Sequence, residues 1–242
     1  MEKTVSEAIQ YRRSIRVFKD DQELDSTKVR SCIENAVLAP TSSNLQLWQF
    51  YHIEDKDILR KMTTACLGQN AAKTAKQLVV VVARKDLWRK RAAANIEFLM
   101  KAIGDKPKSH YTKREKFALG YYSKIIPSIY IEFFGILGWL RYIVFAIAGL
   151  FRPVYRQVRN SDMRIVSHKS AGLAAQNFMI SMAAIGYDTC PMEGSDTRRI
   201  KKILNLPWGS EITMVIGCGV RDPNGVYGDR FRIPFNEVYK KV

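Results

Sequence analysis

The sequence predicts an α+β domain, and three observations predict it. Leu78 to Ala83 is a continuous aliphatic, mostly β-branched run, the pattern of a buried strand. Thr213 to Val220 gives a second such strand far along the chain, with Gly217 and Gly219 inside it. Between them, Ala171 to Ala184 places Leu173, Ala174, Phe178, Met179, Met182 and Ala183 at helical spacing, and Gly186 supplies the stop. At 242 residues and 47% hydrophobic composition the chain can bury one sizeable core, so a single domain over 1–242 is expected.

Taken in order, Val5 to Tyr11 reads as a short helix, and Arg12 to Arg16 as a turn into an extended segment. Asp25 or Ser26 caps a helix to about Leu38, which Ala39-Pro40 ends. The loop Thr41 to Asn44 offers short hydroxyls and an amide, and Trp48 to Ile53 alternates as a strand does. Asp55 opens another helix, to about Leu67. After the core helix a short extended segment ends at Pro191, and Ser195 or Asp196 caps a helix from Thr197 to Leu204. The Pro- and Gly-rich turn Cys190 to Asp196 can present backbone N–H groups to a flat ligand; an ordinary connecting loop is the alternative. Gly217-Cys218-Gly219 lacks the third glycine and the following helix of a dinucleotide fingerprint, so close backbone approach explains it better. A Pro-Asn-Gly turn follows at 223–225, and Pro234 to Val242 closes the chain, extended or helical.

The net charge of +16 raises nucleic acid, an anionic membrane or an anionic ligand as partners. Residues 101–169 hold thirteen Lys and Arg against four acids, Asp105, Glu115, Glu132 and Asp162, so much of the charge sits in the middle of the chain. These basic residues flank a purely apolar stretch and no reading motif accompanies them, which argues against nucleic acid. Cys32, Cys66, Cys190 and Cys218 form no C-x-x-C pair, and His52, His110 and His168 are scattered. Reduced thiols and no metal are expected, in a cytoplasmic setting, and Met1 to Glu7 has no apolar export signal.

Four motifs occur in register: Arg12-Arg13-Ser14-Ile15-Arg16, Ala39-Pro40-Thr41-Ser42-Ser43-Asn44-Leu45-Gln46-Leu47-Trp48, Pro191-Met192-Glu193-Gly194 and Arg230-Phe231-Arg232-Ile233-Pro234. Together, from Tyr11 to Pro234, they resemble the FMN-dependent nitroreductase family, with Leu47 where that family usually has Pro. The resemblance implies a homodimer with a mixed, mostly antiparallel sheet flanked by helices and one FMN per subunit at the interface. It implies that Arg12, Arg13 and Ser14 contact the FMN phosphate or ribityl groups, with Arg230 and Arg232 as a phosphate-binding pair. Arg16 would lie near flavin N1 and O2, where a cation favours the anionic reduced ring. Pro40, Thr41, Ser42 and Asn44 would reach the flavin from the partner subunit, and the amide of Gln69, or of Asn70, would approach the ring. Pro191, Met192, Glu193 and Gly194 form the turn whose Glu and Gly backbone amides serve the N5 and O4 region. No side chain is compelled to act as general acid or base.

The implied chemistry is ping-pong: NADH or NADPH passes hydride to the flavin and leaves, and a small acceptor then takes the electrons. Two alternatives stay open, a non-catalytic flavin-binding protein docked on membranes and a superfamily relative performing reductive dehalogenation or flavin breakdown.

The segment from Met100 to Asp162 is longer and more apolar than the family pattern requires, and reads as a hydrophobic helical insertion over about 100–162. Phe133 to Phe151 is 19 residues with Arg141 the only charge, close to the about 20 needed for a membrane span. Motifs that must meet around one FMN lie on both sides of it, which argues against a single crossing. The segment is therefore expected as a lid-like hairpin or as an element lying in a membrane interface through 125–151, attracted to anionic lipid at the inner face by basic flanks. Its apolar character points to a lipophilic acceptor such as a nitroaromatic compound, a quinone or an enone.

Overall fold

Trp48–Ile53 (β1), Gln77–Ala83 (β2), Asp188–Met192 (β3) and Glu211–Gly219 (β4) form one antiparallel sheet in the order β1-β2-β4-β3 in the computed structural model, which describes residues 2–242. The helices are α1 (Val5–Tyr11), α2 (Ser26–Ala36), α3 (Lys56–Ala65), α4 (Asn70–Lys73), α5 (Trp88–Ile103), α6 (Lys113–Gly120), α7 (Ile126–Tyr130), α8 (Ile136–Phe151), α9 (Asn160–Ala184), α10 (Thr197–Ile203) and α11 (Phe235–Val238).

Every residue of β2 is buried, because helices cover both faces of the sheet. Val79 and Val81 join Ile216 and Cys218 in a core shared with α2 and α9, around Val29, Phe178 and Met182. Leu78, Val80 and Val82 point the other way, into a core with Met62 of α3, Ala71 of α4 and Ile200 of α10. Double coverage explains why β2 reads as a continuous apolar run, while the partly covered edge strand β1 mixes Gln49, Tyr51 and His52 with Trp48 and Ile53.

Helix starts follow capping chemistry. Asp25, Asp55 and Asp196 accept from the backbone N–H of Thr27, Ile58 and Arg199, and Thr4 forms a capping box with Glu7. The core helix differs from expectation at its start. It begins at Asn160 rather than Ala171, and its added turns are held by His168, 3.0 Å from Thr213 Oγ1 and 3.2 Å from Glu211 on β4.

The N-terminal segment after α1 is laid against the sheet. Ser14 bridges Thr189 in parallel and Phe18 bridges Arg221 antiparallel, the parallel contribution to an otherwise antiparallel arrangement. The buried carboxylate of Asp188 receives the Arg221 backbone N–H at 2.8 Å and its Nε at 3.0 Å, while Arg221 also donates to the Tyr11 carbonyl and lies over the Tyr11 ring. Phe18 packs where Gly219 leaves room: a Cβ there would stand 2.6 Å from its ring, and one on Gly217 would stand 2.7 Å from the Ala71 carbonyl oxygen. Both glycines therefore serve close backbone approach.

A third apolar cluster joins Leu45, Leu47, Trp88, Ile126, Tyr130 and Met163. Leu47 is buried there, so side-chain packing anchors the loop at the position where proline was expected. Residues 121–125 form a π-helical turn between α6 and α7, and Phe134 and Gly135, both left-handed, separate α7 from α8. Among the described residues no helix is long and apolar enough to cross a membrane.

Candidate active site

Arg12, Arg13, Ser14 and Arg16 follow α1 as its chain turns onto the edge of β3, and Arg230 and Arg232 return to them near the C-terminus. Together with Tyr227 and Asp229 they line a cleft of about 270 Å³. Hydrogen bonds to main-chain carbonyls fix the walls. Arg230 donates to the carbonyls of Gln10 at 2.7 Å and Arg12 at 2.6 Å, and Arg13 donates to that of Gly228 at 2.9 Å. The turn expected at 223–225 supports them, since the Arg16 N–H donates to the Gly225 carbonyl. Gly225 is needed there because a Cβ would fall 2.2 Å from the Val17 carbonyl oxygen.

The electrostatics of the cleft are one-sided. Among the described residues none of the five arginines is ion-paired with a carboxylate, and Asp229 is the one acid in the lining. Burial, then the nearby Arg230 and Arg232, pulls the Arg12 guanidinium below its ordinary value. Uncompensated like charges held this close oppose folding, and a bound anion relieves that cost. The size of the cleft and its excess of positive charge suit a phosphate monoester.

Gln69 and the turn of residues 191–194 come together across the chain. Gln69 Nε2 donates to the Gly194 carbonyl at 2.7 Å and to the Cys66 carbonyl at 3.1 Å. Among the described residues the backbone N–H groups of Glu193 and Gly194 have no protein acceptor. A Cβ on Gly194 would meet nothing closer than Gln69 Nε2 at 3.9 Å, so the turn faces open space. Met192 is buried and Pro191 half-buried, which roots the turn in β3. Asn70 donates to the Tyr227 hydroxyl at 3.2 Å, and Tyr227 lines the arginine cleft, which links the two regions. Glu193 lines a separate hollow with Arg164, His168 and Lys169 on α9.

The loop residues Pro40, Thr41, Ser42 and Asn44 are not brought to this site within one chain. Pro40, Ser42 and Asn44 are exposed, and the loop is held in shape by left-handed Ser43, Asn44 and Gln46. Thr41 Oγ1 accepts from the Gln46 N–H at 3.2 Å, and Asn44 exchanges hydrogen bonds with Asn95 of α5. Ser42 and Ser43 instead border an apolar cavity of about 340 Å³ with Tyr121, Ile126, Ile129, Tyr130 and Tyr155. Ser43 Oγ lies 2.6 Å from the Tyr121 hydroxyl, and Tyr122 donates to the Ser43 carbonyl. Burial pushes the Tyr130 phenol up to about 12, so it stays neutral.

Two participants escaped the sequence reading. Cys190, read as the start of the 190–196 turn and as a reduced thiol but given no contact of its side chain, sits 3.6 Å from Arg16 Nη1, where burial pushes its thiol up against the opposing pull of Arg16 and Arg12. Tyr227 joins the cleft only through the fold. No motif signals either contact, since the Arg16–Cys190 pair joins residues 174 apart.

The model of the nitroreductase family matches residues 9–220, which includes the turn of residues 191–194 and stops before Arg230 and Arg232. Protein DrgA of Synechocystis is 29% identical over 216 residues, 89% of this chain and 83% of its own length. MhqN of Bacillus subtilis, named as an NAD(P)H nitroreductase, is 24% identical and covers 93% of both chains. A nitroreductase-like structure from Exiguobacterium sibiricum, solved in complex with FMN, superposes with a TM-score of 0.68 at 19% identity, over 99% of this chain and 98% of its own. With the family match spanning most of the chain and the same fold underneath it, the chain belongs to the nitroreductase family.

Proposed function

We propose that the chain is an FMN-dependent NAD(P)H oxidoreductase that works as a homodimer and reduces a small lipophilic acceptor. One observation carries this reading: five arginines without carboxylate partners surround a cleft of phosphate-monoester size. Bound there, FMN supplies hydride transfer between NAD(P)H and the acceptor. The protein's part is to bind and orient. Arg12, Arg13, Arg230 and Arg232 neutralise the phosphate, and Ser14 adds a hydroxyl. Arg16, on the inner side of the cleft, favours negative charge on whatever ring lies beside it. Gln69 pins the Gly194 carbonyl and leaves the Glu193 and Gly194 N–H groups as donors for a ring edge.

A second copy of the chain completes the site. The exposed Pro40, Ser42 and Asn44 lie apart from the arginines of their own chain, an arrangement that suits contribution across a two-fold axis. The tyrosine-bordered apolar cavity beside Ser42 and Ser43 supports a lipophilic acceptor, because its lining combines Ile126, Ile129, Met163 and Val166 with the hydroxyls of serine and tyrosine.

Steady-state oxidation of NADH and NADPH by the FMN-loaded protein, against quinones, enones and nitroaromatic compounds of graded hydrophobicity, tests the proposal. Parallel double-reciprocal lines and a KM that falls with hydrophobicity are expected, with Tyr155→Ala raising KM for apolar acceptors selectively. Absence of acceptor-dependent oxidation would leave a flavin-binding protein without turnover.

A further inference from the structure

The exposed surface of α8 is apolar throughout. Ile136, Trp139, Leu140, Ile143, Val144, Ile147, Leu150 and Phe151 recur at intervals of three and four and all face solvent, an arc of about 140° on a helical wheel at 3.6 residues per turn. Tyr142 borders this face, and Gly138 is the one buried residue of the helix. Just before it, Phe133 and Phe134 are exposed too, and Phe134 holds φ of 47°, a conformation that bulky side chains seldom adopt. The turn thus turns an aromatic ring outward next to an already apolar face.

The one charge within α8 is turned away from that face. Arg141 is spent on the Glu132 carboxylate at 2.9 Å and on the carbonyls of Ser128, Ile131 and Val158. Glu132 is the only acid between Lys124 and Arg159, and this pair neutralises it. The charges left around the helix are positive. Arg152 is exposed directly after it and Arg156, also exposed, donates to the Gly149 carbonyl, while Arg159 pairs with Asp162 at 3.4 Å and stands over the Trp139 and Tyr142 rings.

We propose that α8 is a membrane-surface anchor that lies in the interface of a bilayer rich in anionic lipid, its apolar face in the acyl boundary and its arginines at the headgroups. At 16 residues the helix is about 24 Å long at 1.5 Å per residue, shorter than the hydrocarbon core of about 30 Å, so it lies in the surface and does not span it. Trp139 and Tyr142 sit at the edge of the face, the level that amphipathic aromatic rings take at an interface. Charge decides between occupants. A second copy docked on this face would set two surfaces that each carry Arg152 and Arg156 without carboxylate partners against one another, whereas an anionic surface complements them.

Flotation of the FMN-loaded protein with vesicles of phosphatidylglycerol and phosphatidylcholine, against pure phosphatidylcholine, tests the anchor. The wild type should float with the anionic vesicles and lose most of that binding in high salt or on neutral vesicles. Ile143→Asp/Ile147→Asp should reduce the vesicle-bound fraction by about tenfold or more while FMN content and circular dichroism stay unchanged. Trp139 fluorescence, assigned by difference from Trp139→Phe, should shift to the blue on binding. Equal flotation of wild type and double variant would overturn the proposal. So would a wild type that stays free of vesicles while the double variant changes sedimentation from dimer to monomer, which would give the face to a second copy.

Discussion

Arg12 concentrates the chemistry of the cleft in one residue. It is half-buried beside Arg230 and Arg232, so removing its charge relieves repulsion in the empty site and weakens the site for a dianion. Arg12→Ala should therefore weaken FMN binding about 10- to 100-fold, the worth of one charge-assisted hydrogen bond, while the FMN-free protein unfolds at an equal or higher urea concentration. Fluorescence titration and urea unfolding check the two halves. The buried thiols give a pH prediction. Burial pushes Cys32 and Cys66 up to about 11 from an ordinary 9.0, so the fold favours the neutral thiol. That stability is fully present below about pH 9 and is lost as pH rises through 9 towards 11. The urea midpoint should fall over that window, and less steeply in Cys32→Ala/Cys66→Ala; equal slopes would contradict it. At this scale the motif residues could be named from the sequence only because four stretches in register resemble one family, since each alone also reads as an ordinary turn or loop. Tyr227 and the Arg16–Cys190 contact were not, since only the fold brings them together.

At the scale of elements, capping and periodicity carried far. Val5 to Tyr11 and Trp48 to Ile53 form the elements expected of them, and Asp25, Asp55 and Asp196 cap the helices expected to start there. The first turns of α9 were not legible, because from Asn160 to Lys169 only Met163 and Val166 face an apolar cluster and polar contacts from His168 to β4 supply the rest. The break before α8 was equally hidden, since a left-handed Phe134 has no local signature. The segment from Arg12 to Phe18 owes its place to two tertiary devices with separate tests. Asp188→Ala leaves Arg221 without its buried partner and should cost about 3–5 kcal/mol in urea unfolding, with FMN affinity falling as the Tyr11–Arg12 turn loosens. Gly219→Ala forces a methyl group into the Phe18 ring and should cost about 1–3 kcal/mol, part of which Phe18→Leu restores.

At the scale of the molecule, the sheet and its two helical layers gather the arginines, Gln69 and the Gly194 turn into one chain and leave the Pro40 to Asn44 loop on a different surface. If two chains share each site, defects on opposite sides must complement. Mixed dimers of an Arg12→Ala/Arg230→Ala chain with a Ser42→Ala/Asn44→Ala chain should recover FMN at the one intact site, where neither parent homodimer holds it; no recovery would confine the site to one chain. The most direct measurement is the absorbance spectrum of the purified, FMN-incubated protein, followed anaerobically as NADH or NADPH is added. A retained flavin spectrum that bleaches with one of the two donors is the predicted result. A protein that retains no flavin, or a bound flavin that stays oxidised with both donors, would contradict the assignment of the arginine cleft to an FMN-dependent NAD(P)H oxidoreductase.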